Sequence, residues 1–157
     1  MNYISIGVDP GSSSGAIAVI KDGNLHIHRI KGKSEKEIER VFYDTLLDKG
    51  FQTQMFGMIE KVAAMKGQGV SSTFKFGMNY GFLRGCLVAN RIPFRDMIPR
   101  VWQKEFSMAK KKTESGPQWK GRLLNVAQNL YPQTWIPLYA GDAVLLAHIA
   151  RTIINQK

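Results

Sequence analysis

The chain has 157 residues, 44% of them hydrophobic and 22% charged, an ordinary globular composition that excludes intrinsic disorder and predicts one domain over residues 1–157. Its charge is unusual: 22 Lys+Arg against 12 Asp+Glu give a net +10, which favours a polyanionic partner, nucleic acid ahead of membrane. No apolar run approaches the roughly 20 residues that span a bilayer. Met1-Asn2 leads directly into a strand rather than a secretory leader, and the single Cys86 excludes an internal disulfide or a thiolate zinc cluster, so a reducing, cytoplasmic setting is expected.

The first strand is Tyr3-Ile4-Ser5-Ile6-Gly7-Val8-Asp9, an apolar alternation that ends on an acid and is stopped by Pro10-Gly11. A carboxylate at the end of a buried strand is poorly solvated and calls for a cation, a metal ion or a metal-held phosphate. Ala16–Ile20 predicts a second strand, Asp22-Gly23 a hairpin turn, and Leu25–Ile30 a third strand, together an antiparallel meander. Ser34 followed by Glu37 predicts a capped helix running to about Lys49, ended by Gly50 and burying Ile38, Val41, Phe42 and Leu46.

Met55–Glu60 predicts a strand that again finishes on an acid, followed by a loop with Lys61, Lys66 and Gln68. Ser71-Ser72 is positioned to cap the next helix, which reaches about Asn90 and carries Gly77, Gly81 and Gly85 at four-residue spacing. Interior glycine costs up to about 1 kcal/mol against alanine, so close packing against that face is expected, on the sheet or on a second copy of the helix. Pro93–Ile98 predicts a fifth strand, Pro99–Phe106 a short helix, and Lys110-Lys111-Lys112 a basic loop. A helix from Pro117 to about Leu130, a connector through Pro137 and a last helix over Ala140–Ile154 complete the chain.

Three acids stand out by position: Asp9 and Glu60 at strand ends, and Asp142 in the first turn of the last helix. Asp142, Leu146, Ile149 and Ile153 share one stripe, so the carboxylate points with the buried face. If the helix crosses the two strand ends the three acids converge, and one or two Mg²⁺ or Mn²⁺ ions would relieve their repulsion. A pair of ions about 4 Å apart would clamp a phosphodiester and generate a hydroxide. Each acid also has a bland account: Asp9 as a turn cap, Glu60 as a surface pair with Lys61, Asp142 as a charge favoured by the helix dipole.

The run Gly7-Val8-Asp9-Pro10-Gly11, then Ile59-Glu60, then Gly141-Asp142-Ala143 with Leu145-Leu146-Ala147 resembles the RuvC-type Holliday junction resolvases of the RNase H-like nucleases, over essentially the whole chain. The resemblance implies an α/β fold with a five-stranded mixed sheet in order 3-2-1-4-5 and helices on both faces. It implies Asp9, Glu60 and Asp142 as metal ligands, and Lys104 and Lys120 beside the scissile phosphate, where a lysine would neutralise developing charge. It further implies a cytoplasmic protein of a bacterium or a virus-infected cell, dimerising through the helix of Gly77, Gly81 and Gly85. Such a two-fold dimer would place two active sites across the two-fold axis of a four-way junction.

The chain departs from the family at one place. The family carries a further acid or histidine about one turn before the helix acid, where this chain has Pro137-Leu138-Tyr139-Ala140. His148 lies six residues beyond Asp142, well round the helix, and reads as a structural histidine. Lys61, Lys66, Gln68, Lys110, Lys111, Lys112 and Arg122 are the expected DNA contacts, read chiefly as phosphate contacts without sequence readout. The leading function is metal-dependent resolution of branched DNA by paired nicks. The alternatives are a catalytically weak junction-binding protein, an RNase H-like ribonuclease and, far behind, one half of an actin-like ATPase.

Overall fold

The computed structural model describes residues 2–47, 53–63, 67 and 69–156. Five strands, β1 (Asn2–Asp9), β2 (Ala16–Lys21), β3 (Asn24–Arg29), β4 (Thr53–Glu60) and β5 (Phe94–Met97), form one sheet in order β3-β2-β1-β4-β5. β1 pairs antiparallel with β2, and β2 with β3, whereas β1–β4 and β4–β5 are parallel. The helices are α1 (Glu35–Leu47), α2 (Val70–Ala89), α3 (Pro99–Glu105), α4 (Gly116–Leu130) and α5 (Gly141–Asn155), the last preceded by a 3-10 turn at Leu138–Ala140. The sheet order expected from the family resemblance is the one observed.

The local signals act as their chemistry dictates. Asp22 and Gly23, at φ 50° and 88°, form the left-handed hairpin turn between β2 and β3. The Ser34 backbone N–H donates to Glu37 Oε2 (2.8 Å) and the Glu37 N–H to Ser34 Oγ (3.3 Å), a reciprocal cap on α1. Ser115 and Gln118 make the same box on α4. Ser71 and Ser72 do not cap: α2 begins one residue earlier, at Val70, with Gly69 at the cap position and no side-chain cap bond. The expected end of α1 at Lys49-Gly50, and Lys66 and Gln68, lie outside the described residues.

Alternation on β1 divides the core. Ile4, Ile6 and Val8 join Ile38, Phe42, Leu83 and Leu87 in the cluster beneath α1 and α2. Ser5, Gly7 and Asp9 face the other way, toward α5, whose buried residues run from Gly141 through Ala147. A Cβ on Gly7 would stand 2.0 Å from the Ala143 carbonyl oxygen and 2.3 Å from the Ala147 nitrogen, so backbone meets backbone there. Trp102, Trp119, Leu123 and Met58 complete this second cluster. Helices therefore cover both faces, as expected.

α2 packs differently. It turns Leu83, Cys86 and Leu87 inward, while a Cβ on Gly77, Gly81 or Gly85 would meet nothing within 4 Å among the described residues. Packing of the glycine face on the sheet is thereby overturned. Val70, Phe74, Met78 and Val88 are exposed on the same helix. No helix among the described residues is long and apolar enough to cross a membrane.

Candidate active site

The close approach at Gly7 sets the site. Seating α5 on β1 brings the first turn of α5 beside the C-terminal end of β1, and with it Asp142 beside Asp9. Both residues are buried, Asp9 6% and Asp142 5% exposed. The Asp9 carboxylate is oriented by the turn it precedes: Oδ1 accepts from the Gly11 N–H at 3.0 Å, while the Gly15 N–H closes the loop on the Gly11 carbonyl at 2.7 Å. Asn79 of α2 donates to the Pro10 carbonyl at 2.6 Å and ties that helix to the same turn.

Glu60 arrives on β4, the parallel neighbour of β1. Its Oε2 accepts from the Trp102 indole N–H at 2.9 Å, and Trp102 is itself fully buried. The expected alternative, a surface pair with Lys61, is not observed: Lys61 is exposed and its backbone N–H donates to the Met97 carbonyl. Lys120, projecting from α4, donates to Asp142 Oδ2 in a buried-to-surface ion pair.

The electrostatics follow from this crowding. Burial, then the Asp142 charge, raise the Asp9 carboxyl to about 6, against the opposing pull of Lys120 and the Gly11 N–H. Burial, then Asp9 and Asp142, raise Glu60 to about 7, with the Trp102 bond and Lys120 opposing. Burial works to lower the Lys120 ammonium, but Asp142, Asp9 and Glu60 outweigh it and hold it above its ordinary range. Three carboxylates and one ammonium thus form a single coupled cluster.

Among the described residues no group of three or more His, Cys, Asp or Glu side chains stands ready-made around one cation. The donor chemistry nevertheless fits a hard divalent ion: carboxylate oxygens, no sulfur, and a mutual repulsion that raises two of the three acids. Lys120 supplies the counter-charge in their present arrangement.

The remaining expected residues are dispersed. Lys104 is exposed on α3 and makes no side-chain bond among the described residues; Lys110, Lys111 and Lys112 are exposed on the loop before α4. Arg122 donates two bonds from Nη1 to the Glu114 carboxylate, both 2.9 Å, and stacks over Trp119 at 5.2 Å from the ring centroid. Glu114 also accepts the Lys111 N–H at 3.2 Å, so Arg122 braces the root of the lysine loop. His148 shares a 3.0 Å bond with the Tyr131 hydroxyl and packs near Phe106, a structural role as expected. Trp102 as the partner of Glu60 and Gly7 as the contact point were not anticipated. A glycine inside a strand is itself a signal of close backbone approach and could have identified the second.

No family model and no curated protein matches the sequence. Among solved structures, the chain is similar to T. thermophilus RuvC in complex with a Holliday junction substrate (TM-score 0.64, 13% identity, covering 98% of this chain and 96% of that one). It is likewise similar to a second Thermus thermophilus RuvC structure (TM-score 0.57, 13% identity, covering 99% and 97%). With the strand order and the two-sided helix layers, these likenesses establish that the chain has the RuvC-like Holliday junction resolvase fold.

Proposed function

We propose that the protein is a metal-dependent endonuclease that resolves four-way DNA junctions by paired nicks. The observation that carries this reading is the coupled cluster of Asp9, Glu60, Asp142 and Lys120 at one end of the sheet. Asp9, Glu60 and Asp142 would hold Mg²⁺ or Mn²⁺, and the ion would supply activation of the attacking water and charge neutralisation at the phosphate. The Gly11 N–H and the Trp102 indole fix the Asp9 and Glu60 carboxylates in place. Lys120, half-exposed at the rim, is the side chain within the cluster suited to stabilise charge on the scissile phosphate. Lys104, Lys61 and the Lys110–Lys112 loop would add phosphate contacts, and two copies would pair through the open glycine face of α2.

Mg²⁺-dependent cleavage of a synthetic four-way junction, compared with linear duplex and with RNA-containing strands, tests the reading. Asp9→Asn should reduce cleavage by on the order of a hundredfold or more, beyond the loss from an outer-shell partner. Junction binding should persist or strengthen, because a carboxylate no longer repels phosphate. An Asp9→Asn protein that cuts at the wild-type rate removes Asp9 from the chemistry. The absence of a ready-made acid group around one cation among the described residues favours a second reading, junction binding without cutting. Tight junction binding with no nicks at any Mg²⁺ or Mn²⁺ concentration would select it.

A further inference from the structure

The end of the sheet that carries Asp9 also carries an arginine. The ladder pairs Asp9 with Ala16 and Ala16 with Arg29, and directly paired residues project to the same face. Arg29 therefore rises from the face and the end that hold Asp9, two inter-strand spacings away, about 10 Å. Between them lies the small, buried Ala16. The Arg29 guanidinium sits 4.9 Å from the ring centroid of Tyr139, in the turn that leads directly into Asp142. Arg29 is exposed and makes no ion pair among the described residues.

We infer that Arg29, steadied by Tyr139, binds a backbone phosphate of the nucleic acid beside the scissile position. This deepens the nuclease reading and rests on it. Lys120 is engaged by Asp142, and Arg122 by Glu114. Arg29 has an aromatic partner instead of an acidic one, so its hydrogen-bond donors stay available while its side chain is restrained. A planar guanidinium offers paired N–H donors that match two phosphate oxygens, and stacking reduces the freedom lost on binding. Because Tyr139 stands on the segment that delivers Asp142, one short stretch of chain registers both the acid and the phosphate anchor. A nucleic-acid strand crossing the ends of β1, β2 and β3 would meet Asp9 at one phosphate and Arg29 at another, one or two nucleotides along. The competing account is a solvated arginine that guards the edge strand β3.

The test is the salt dependence of binding. Anisotropy of a fluorescein-labelled four-way junction and of a linear duplex is followed with the full chain in metal-free buffer, between 50 and 200 mM KCl. Arg29→Ala should weaken junction binding by about threefold or more and lower the slope of log K against log[salt] by about 1. Arg29→Lys should restore the slope. Tyr139→Phe should match wild type because the ring is kept, and Tyr139→Leu should weaken binding. Unchanged thermal melting of each variant guards against a folding defect. An Arg29→Ala protein with wild-type slope and affinity, on a wild type that binds and cuts junctions, overturns the phosphate contact and leaves the nuclease reading intact. A wild type that binds no DNA overturns both.

Discussion

Glycine on β1 and glycine on α2 do opposite things. At Gly7 the missing side chain is replaced by another backbone, that of Ala143 and Ala147 in α5. At Gly77, Gly81 and Gly85 it is replaced by nothing among the described residues. The first case brings two elements together and fixes the relation of Asp9 to Asp142. The second leaves a flat helical face, with Phe74 and Met78 exposed on it, at a cost in helix propensity that no contact among the described residues offsets. One glycine brings Asp9 and Asp142 together; the others leave an open surface.

The largest effect should come from destroying the first arrangement. Gly7→Val puts branched carbons where the Ala143 carbonyl already lies, and neither backbone can move without lifting α5 off the sheet. A loss on the order of 3 kcal/mol or more is expected in urea denaturation. A variant that unfolds at the wild-type midpoint would show that the close approach is dispensable.

The acid cluster beneath α5 makes a pH signature that the open face of α2 lacks. Asp9 and Glu60 titrate near 6 and 7 in the folded protein, above the 3.8 and 4.5 of the ordinary carboxyls. The native state therefore binds more protons than the unfolded one across that window. The contribution of these two groups to stability falls as pH rises from about 4 to about 7, then levels off. Chemical denaturation at several pH values should show that decline, and Glu60→Gln should flatten it. Affinity for a divalent ion should rise over the same window, since the ligands must lose their protons.

The α2 face gives the next effect. If two copies pair through this face as proposed, the wild type should sediment as a dimer and Gly81→Leu, with the folding of the single chain intact, as a monomer; an unchanged mass would overturn the pairing. Smallest of all, Gly77→Ala should raise the stability of the monomer by up to about 1 kcal/mol, because an added methyl meets open space. Gly7→Ala, the same change, should destabilise. A matching sign at the two positions would erase the distinction drawn between them.

What could be read from the sequence was local or periodic. The Ser34–Glu37 cap and the Asp22-Gly23 turn close within three or four residues, and the alternation of β1 fixes which side chains share a face. Asp9 and Glu60 were legible because a run of apolar residues that stops on an acid marks where the chain leaves the core, and Asp142 because it opens the apolar stripe of the last helix. The bond from Trp102 to Glu60 spans 42 positions and depends on how α3 lies against β4, which no local pattern encodes. Arg122 reads in the sequence as a DNA contact because Glu114, eight residues earlier, comes back to it only through the turn at the head of α4. Ser71 and Ser72 had capping chemistry, but the helix started one residue before them, and a cap cannot act from inside the first turn.

The indole above Glu60 has an optical consequence. Trp102 and Trp119 are buried and Trp135 is 80% exposed, so emission from the core is separable from the red-shifted light of the surface ring. Only Trp102 shares a hydrogen bond with an acid of the cluster. With Trp119 replaced by Phe, core emission should come from Trp102 and should shift as Glu60 gains or loses its proton, with no nucleic acid present.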